Sequence, residues 1–500
     1  MTGRGLRWAA LLPACLLLQH CYISAVGVTC YDPTYPCPAG LYCDVTLHCA
    51  IPTPDGGSGA TDAGSNPASW VWRGPIELPQ GAASESDQPR LAYGQGKAWV
   101  AWQDFNSSTM TATVWLTNRS GSGSWVSPQP LPAVAGWAQG AFFPQIALAS
   151  TGAPVVAFEE LGATSGTYSI WAAWLTNGLT VPASNMVRLD SSSANTPQLG
   201  QGNALAVDAA GNAIVAWTEN GGLFGSAAQN GGSWTSESEL DDLTGQPCCN
   251  LNVTAGAAGQ AMVGWSRDTT TAASPLQIGS GGFHVGSAEV LMTETNPPGA
   301  VVVLRGAHGL AVWPATNGLG WRTYDNGEWG APSTISDSNL SYYVEPTLAM
   351  NDLGQAVLLW RDAGSTGAYA GTIQGSYFDG SAWSPPHTVS VPGAHATAWW
   401  QAVDINDVGT AVAAWADFES TGTYTRIWAG ILDVGSGQPV WQAPVAIDMP
   451  SPNAGLADEP QNVRDISVAL DPAGSVAYVV YMQHADSPAT TPFTWVNWLE

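Results

Sequence analysis

The stretch GNAIVAW at residues 211–217 places a glycine before small and branched residues and ends on a tryptophan. The same outline recurs as GKAWVAW (96–102), GAPVVAF (152–158), GQAMVGW (259–265), GQAVLLW (354–360) and GTAVAAW (409–415). In the segment ALAVDAAGNAIVAW (204–217) it forms the second half of an alternating pattern around a glycine turn, which is typical of a β-hairpin. Variant copies at 301–313 and 466–481 bring the number of hairpins to eight.

Each hairpin is followed by a second pair of predicted strands. The last strand of each unit begins near a Trp-x-x-Pro motif or an equivalent position: Trp72, Trp125, Thr180, Trp234, Phe283, Trp329, Trp383 and Trp441. These positions lie 53, 55, 54, 49, 46, 54 and 58 residues apart. Four short strands in about fifty residues match one blade of a β-propeller.

The sequence therefore predicts an all-β fold, an eight-bladed β-propeller of four-stranded antiparallel blades over residues 70–500, with a seven-bladed ring as the alternative. The last unit ends at FTWVNWLE (493–500) without a fourth strand, and WRGPIEL (72–78) is a fourth strand without its own blade. We expect these two segments to share one blade and to close the ring. Most of the 25 tryptophans fall in repeat positions, where they are expected to pack between blades.

The composition agrees with short strands and restricts the partners. Charged residues make up 10% of the chain, which contains 57 glycines and 35 prolines. The formal net charge is −26, and Lys97 is the only lysine. Such an acidic protein repels phosphate backbones, so nucleic acid is not an expected partner.

The amino terminus has the pattern of an export signal over residues 1–20, with cleavage as late as residue 27. Arginines precede an apolar run from Trp8 to Leu18 that is too short to span a bilayer. The segments LPAC (12–15) and LQHC (18–21) resemble the bacterial lipobox, which would place a lipid on Cys21 or, alternatively, on Cys15. Such a lipid would be the only membrane contact; plain signal cleavage is the alternative.

A disulfide-rich knot is predicted over residues 21–50, followed by a flexible Gly/Ser/Pro linker over 51–69. The knot contains Cys30, Cys37, Cys43 and Cys49, and two disulfides would have to stabilise a segment too short to bury a core. Three pairings are possible, and a zinc site is the rival interpretation. The segment is similar to the small Dickkopf-type cysteine-rich modules.

A ligand site is predicted on the face formed by the loops that connect consecutive blades. Three of these loops contain aromatic residues that the repeat does not require. The candidate residues are Trp137, Phe142 and Phe143 in the first loop, Tyr342, Tyr343 and Glu345 in the second, and His395, Trp399 and Trp400 in the third. Broad rings beside carboxylates suit stacking on the apolar faces of sugars or holding a peptide; filling of the central channel is the structural alternative.

Adjacent Cys248 and Cys249 lie in another connecting loop and are predicted to form a vicinal disulfide, with two free thiols as the alternative. Eight-bladed quinoprotein dehydrogenases resemble this arrangement, since they carry such a bridge beside their cofactor. Their docking repeat and calcium ligands are not found here, so no cofactor is expected.

Catalytic motifs are not evident in the sequence. It contains neither a G-x-S-x-G nucleophile elbow nor an H-E-x-x-H metal motif, and no metal site is expected. The turns at Asp208 and Asp471 resemble the sialidase Asp-box superficially, but these aspartates are expected to cap their own turns. A sialidase would also need three clustered arginines. The candidates near hairpins are Arg90, Arg267, Arg305, Arg361 and Arg464.

These patterns predict an exported, lipid-anchored, non-catalytic binding or adhesion protein that recognises glycans or protein segments. In general form the chain resembles the propeller lipoproteins of GC-rich bacterial envelopes, which implies the outer membrane or surface of a Gram-negative bacterium. A sialidase-like hydrolase or lyase acting on polysaccharide is one alternative, and a structural scaffold in an envelope assembly is another. The sequence does not predict an oligomeric state.

Overall fold

A computed structural model describes residues 42–43, 49–50 and 70–500, the last range except 79–84, 107, 122, 135–139, 163–166, 176–178, 180, 192–195, 201, 242–246, 268, 280–281, 294–298, 316–317, 338–344, 363–370, 391–396, 419–424, 435–438, 449–464 and 485–491. For residues 42–43, 49–50, 85, 247–250, 397–399, 418, 425, 484 and 492, only the backbone is described. The chain divides into two compact units, Met1–Ser69 and Trp70–Glu500.

Two short strands are described in the first unit. Tyr42–Cys43 pairs antiparallel with Cys49–Ala50, and this register sets the backbone of Cys43 opposite that of Cys49. A disulfide between Cys43 and Cys49 belongs to one of the three pairings that the sequence leaves open. The predicted lipidation site, Cys30, Cys37 and the linker lie outside the described residues.

The second unit consists of eight antiparallel sheets of four or five strands, as predicted, and they form an eight-bladed β-propeller. We number the blades along the chain and give their strands from the inner to the outer edge. Blade 1 contains Glu85–Gly94, Lys97–Asn106, Thr111–Ser120 and Gln129–Pro130. Blade 2 contains Ala141–Leu148, Pro154–Leu161, Tyr168–Trp174 and Met186–Arg188. Blade 3 contains Leu205–Val207, Ala213–Glu219, Gly222–Ala228 and Ser238–Glu239.

In blades 4, 5 and 7 the outer edge is split into two short strands, which both pair with the third strand. Blade 4 contains Pro247–Ala255, Gln260–Arg267, Thr270–Gly279, Gly282–Val285 and Glu289–Thr293. Blade 5 contains Val301–Arg305, His308–Ala315, Gly318–Asp325, Glu328–Trp329 and Ser333–Ser336. Blade 7 contains Thr397–Ile405, Thr410–Phe418, Thr425–Asp433, Val440–Trp441 and Val445–Ala446.

Blade 6 contains Thr347–Met350, Ala356–Asp362, Thr372–Phe378 and His387–Thr388. Blade 8 contains Ser467–Leu470, Ala477–His484 and Pro492–Leu499, and its outer strand is Trp72–Glu77 from the start of the unit. A single turn of 3₁₀ helix at Ala183–Asn185 precedes the outer strand of blade 2. Within the described residues, none of the helical segments has the length and apolar character that spanning a membrane would require.

The sheets close into a ring through their inner strands. The inner strand of each blade contacts that of the next blade, and the inner strand of blade 8 contacts that of blade 1. Closure also depends on the shared blade 8, where Ile76 pairs with Val496 and the amide of Leu78 donates to the carbonyl of Thr494 (2.9 Å). The expected joining of the two ends of the repeat region is therefore confirmed.

The recurring aromatic residue at the end of the seven-letter motif is buried between blades in all eight copies. These residues are Trp102, Phe158, Trp217, Trp265, Trp313, Trp360, Trp415 and Tyr481, and Trp313, the most exposed of them, is 5% exposed. Trp217 belongs to an apolar cluster that draws residues from blades 2, 3 and 4. Burying each such ring is worth about 4–6 kcal/mol by area, so the eight rings supply much of the adhesion between blades.

The turns that connect the first and second strands of blades 3 and 8 are held by polar side chains of the turns themselves. The carboxylate of Asp208 accepts hydrogen bonds from the backbone amides of Ala210 (2.9 Å) and Asn212 (2.8 Å), and Gly211 adopts a φ of 83° that favours glycine. Asp471 caps its turn in the same way. The interpretation of these aspartates as turn residues is confirmed.

Truncating one buried aromatic residue should weaken the ring strongly. We expect Trp415→Ala to lower the free energy of unfolding by about 3–5 kcal/mol because it leaves a cavity between blades. Trp415→Phe should cost far less, since blade 2 carries Phe158 at this position and the indole N–H of Trp415 has no hydrogen-bond partner. Urea unfolding of the two variants measures the difference; equal losses would contradict the packing role.

Removing the shared strand should expose an edge. Deletion of residues 70–78 leaves the strand Pro492–Leu499 without its outer neighbour and removes the buried side chain of Leu78. We expect a lower melting temperature together with association of copies through the open edge. Size-exclusion chromatography and thermal unfolding test this. Addition of a peptide of residues 70–78 should restore the monomer, whereas a scrambled peptide should not.

Candidate functional site

The inner strands of blades 1, 2 and 7 carry a β-bulge near their first residues. The register shifts between Asp87 and Arg90 in blade 1, between Phe142 and Gln145 in blade 2, and between Trp399 and Ala402 in blade 7. In each case two residues of the inner strand lie opposite the buried aromatic residue of the second strand. Bulges of this kind re-aim side chains and are frequent beside functional sites.

The first of these two residues has a left-handed backbone, although it is not glycine. Gln88 has a φ of 54°, Phe143 of 50° and Trp400 of 52°. Asp465 in blade 8 has a φ of 64° and stands two residues before Ser467, as Gln88 stands two residues before Arg90. This conformation is uncommon for residues with a side chain and costs of order 1–3 kcal/mol at each position.

Glu345 occupies the same position in blade 6, because it stands two residues before Thr347, which pairs with the residue preceding the buried Trp360. We call Gln88, Phe143, Glu345, Trp400 and Asp465 the bulge residues. They belong to five consecutive blades, in the order 6, 7, 8, 1 and 2. Three of them, Phe143, Glu345 and Trp400, were predicted as site residues, one from each of the three aromatic loops. The other two, Gln88 and Asp465, were not predicted but occupy the same position of the repeat.

The aromatic pair in blade 2 divides into a buried and a half-buried ring. Phe142 is 8% exposed and its ring lies 6.1 Å from that of Phe105 in blade 1, so it packs the junction. Phe143 is half-buried, and its backbone amide donates to the side-chain oxygen of Gln103 (2.8 Å). Of the two predicted residues, Phe143 is therefore the one that a ligand can contact.

Glu345 and Trp400 come from neighbouring blades that are joined by a side-chain hydrogen bond. The amide of Gln401 donates to the backbone carbonyl of Glu345. Glu345 is exposed, yet desolvation by the groups packed around it raises the pKa of its carboxyl group, and the positive charge of Arg361 opposes this rise. Trp400 is half-buried and packs against the apolar cluster between blades 7 and 8. Its backbone, like that of Trp399, lies within the inner strand rather than in a loop.

Asp465 is held by an ion pair across the junction of blades 8 and 1. The guanidinium Nη1 of Arg90 lies 3.2 Å from Oδ1 of Asp465, and Oδ2 is buried without a hydrogen-bond partner. Gln88 stands two residues before Arg90, and its backbone amide donates to Oδ1 of Asp87 (2.6 Å). The bulge residues of blades 8 and 1 are therefore polar, whereas those of the flanking blades 7 and 2 are aromatic.

The remaining candidates are described in part or not at all. Trp137, Tyr342, Tyr343, His395 and Arg464 lie outside the described residues. Cys248 and Cys249 lie in the inner strand of blade 4, next to an irregularity in its register between Cys248 and Asn252. Their side chains are not described, and the vicinal disulfide remains a prediction.

Four of the five arginines considered for a sialidase-like triad are described, and each is engaged at a different place. Arg90 pairs with Asp465, Arg267 with the buried Asp241, and Arg361 lies in the field of Glu345. Arg305 donates to the carbonyl of Met350 (3.2 Å) near the hairpin end of the blades. Three of these contacts belong to different blade junctions: Arg90 to that of blades 8 and 1, Arg267 to that of blades 3 and 4, and Arg305 to that of blades 5 and 6. In the described part of the chain, no group of three acidic, histidine or cysteine side chains could hold a metal ion.

Polar side chains near this face also join adjacent blades. Glu159 follows the buried Phe158 in blade 2, and its Oε1 accepts a hydrogen bond from the amide of Leu199 on the way to blade 3 (2.7 Å). Gln103 follows Trp102 in blade 1 and makes the equivalent bond to Phe143. Burial raises the pKa of Glu159 to about 7, whereas its hydrogen bond from Leu199 lowers it.

Comparison with known proteins assigns the chain to no family. Neither a family model nor a curated protein matches the chain. A prolyl endopeptidase structure is similar over 80% of this chain, with a TM-score of 0.44 and 12% identity, and this chain spans about half (53%) of that protein. The NanB sialidase from Streptococcus pneumoniae is similar over 85% of this chain and 70% of its own (TM-score 0.36, 10% identity). The fucose-specific lectin from Aleuria aurantia is similar over 64% of this chain and 99% of its own (TM-score 0.32, 14% identity).

The buried carboxyl group of Glu159 should make stability depend on pH. Because its pKa in the folded state lies above that in the unfolded chain, its contribution is complete below about pH 4.5 and is lost as the pH rises through about 7. Glu159→Gln should therefore raise the free energy of unfolding at pH 8 by up to about 3 kcal/mol, with little change at pH 4.5.

Urea unfolding at the two pH values measures this difference. The matched control is Gln103→Glu, which creates the same buried carboxylate in blade 1 and should introduce the pH dependence there. A Glu159→Gln variant that loses stability equally at both pH values would contradict the assignment.

Proposed function

We propose that this chain is an exported, non-catalytic binding protein whose bulge residues form the centre of a recognition surface for glycans or protein segments. The observation that carries the proposal is the left-handed backbone of Gln88, Phe143, Trp400 and Asp465. Glycine adopts this backbone conformation without strain, so a side chain placed there costs stability.

The side chains at this position have the chemistry of a carbohydrate-binding surface. Trp400 and Phe143 offer rings that can stack on the apolar face of a sugar, and Glu345, Asp465 and Gln88 offer acceptors and donors for its hydroxyl groups. A peptide would use the same rings through its apolar side chains. The half-buried state of both aromatic residues leaves part of each ring open to a ligand.

The sialidase-like alternative is not favoured by the described arginines, because Arg90, Arg267 and Arg305 are engaged at three different blade junctions. A lipid on Cys21 or Cys15 and a location at the outer membrane or cell surface belong to the same proposal. They rest on the signal-like amino terminus and on the cysteine-rich segment that follows it. The linker over residues 51–69 would then give the propeller freedom to meet its ligand.

Glycine substitution at the bulge separates binding from stability. Phe143→Gly and Trp400→Gly remove a ring and relieve backbone strain, so we expect both variants to stay folded while binding on a glycan or peptide array falls by about tenfold or more. The matched control is Trp441→Ala in the outer strand of blade 7, which should keep all binding.

The array distinguishes the two ligand classes, since hits among glycans or among peptides assign one or the other. Hits that both glycine variants retain would overturn the proposal, as would release of product from a polysaccharide by the purified protein. Recovery of a stoichiometric envelope partner without any array hit would instead assign a scaffold role.

A further inference from the structure

A second candidate site lies at the junction of blades 8 and 1, at the opposite end of blade 1 from the bulge residues. A cleft of about 510 Å³ opens there between the third strands of the two blades. Its walls include the indoles of Trp498 and Trp125, the guanidinium group of Arg119 and the side chain of Glu77. Arg119 stands opposite Ala98, near the turn at Gln95 and Gly96, whereas Gln88 lies at the far end of the same sheet.

The repeat itself shows that Arg119 is unusual. Arg119 lies opposite the residue four positions before the buried aromatic Trp102. The residues at the same place in the other seven blades are all apolar or aromatic and buried: Leu175, Ala228, Leu276, Tyr324, Phe378, Leu432 and Leu499. A charged side chain therefore replaces a core residue in blade 1 alone, although the fold works without a charge at this position.

The guanidinium group of Arg119 is buried but not fully satisfied. The residue is 4% exposed, and its Nε donates to the carbonyl of Gly123 (2.7 Å). The nearest carboxylate oxygen belongs to Glu500 and lies 3.9 Å from Nη2, beyond hydrogen-bond distance. Nη1 has no partner. Burying such a group without an acceptor is costly unless a ligand supplies one.

The aromatic walls hold this cation in a fixed orientation. The central carbon of the guanidinium lies 3.9 Å from the ring centre of Trp498 and 5.7 Å from that of Tyr478. Tyr478 is in turn flanked by Trp125 at 6.0 Å and by Tyr93 at 5.8 Å. Stacking on two rings pre-orients the planar group, which lowers the entropy lost when an anion binds.

The unsatisfied group that distinguishes this cleft is Nη1 of Arg119, which is a donor. Buried indole N–H groups without partners, such as those of Trp125 and Trp498, also occur at packed positions such as Trp415. A ligand that satisfies Nη1 must bring an acceptor, and a carboxylate is the group that accepts hydrogen bonds without needing any in return. The indole rings would contact the apolar part of such a ligand.

We propose that this cleft binds a small ligand that carries a carboxylate on an apolar or sugar ring, with the carboxylate facing Arg119 and the ring against Trp498 and Trp125. The site is independent of the bulge residues and of the function proposed for them. It sits beside the shared strand that closes the ring, since Ile76 and Glu77 line it from that strand.

Calorimetric titration of the full-length protein tests the proposal with two probes. Benzoate represents an aromatic acid and glucuronate an acidic sugar, and benzamide and glucose are their uncharged counterparts. We expect saturable binding of at least one acid and about tenfold or more weaker binding of its uncharged counterpart. Saturation by benzoate alone assigns an aromatic acid, and saturation by glucuronate alone assigns an acidic sugar.

Arg119→Leu is the decisive variant, because leucine is the residue of blades 2, 4, 7 and 8 at this position. It should fold at least as stably as the parent and lose the binding by about tenfold or more. Arg73→Leu, an exposed arginine paired with Glu500 at the same edge, is the charge-matched control and should bind normally.

Trp498→Phe provides a second test if Arg119→Leu does not fold, since it replaces the indole that stacks on the guanidinium of Arg119 with a smaller ring. It should weaken binding severalfold. The absence of saturable binding by either acid, or binding that both Arg119→Leu and Trp498→Phe leave unchanged, would overturn the proposal.

Discussion

The ring depends on one repeated contact, the burial of an aromatic residue at the end of each second strand. A twisted sheet of four strands has two faces to cover, and a blade can cover them only with its neighbours. The aromatic residue fills the space between adjacent sheets, as the apolar cluster around Trp217 shows by joining three blades. Closure through the shared blade 8 makes this contact continuous, so that every blade has a neighbour on both sides.

The same contact determines where the bulge residues stand. In blades 1, 2 and 7 two residues of the inner strand, one more than regular pairing would place there, lie opposite the buried aromatic residue. Beyond that point the pairing of the inner and second strands resumes at Gln103, Glu159 and Ala416. In each of these blades the bulge interrupts the alternating direction of the side chains along the inner strand and re-aims one of them. A repeat built for packing thus also provides a repeated position for side chains that can differ from blade to blade.

The sequence predicted the architecture well because its signals are local and repeated. The glycine turns, the alternating strands and the aromatic positions each depend on a few neighbouring residues, and eight copies reinforce one another. The site was harder to predict because it depends on register. Phe142 and Phe143 look equivalent in sequence, but the bulge buries one and leaves the other open. Gln88 and Asp465 carry no aromatic signal, and alignment on the buried aromatic residue could have found them.

Because the blades repeat, each residue can be compared with the residues at the equivalent position of the other blades. A blade that departs from the others at a packed position must do so at a cost in stability, because the other blades show which residue the fold accepts there. The leucines at the equivalent position of blades 2, 4, 7 and 8 are such a reference for Arg119. Arg119 replaces an apolar residue suited to folding with a guanidinium group, and the left-handed residues of the inner strands carry side chains where glycine would be less strained. The proposed ligands would give these groups a use that packing does not, which is why the two ends of the propeller are the places to look for its function.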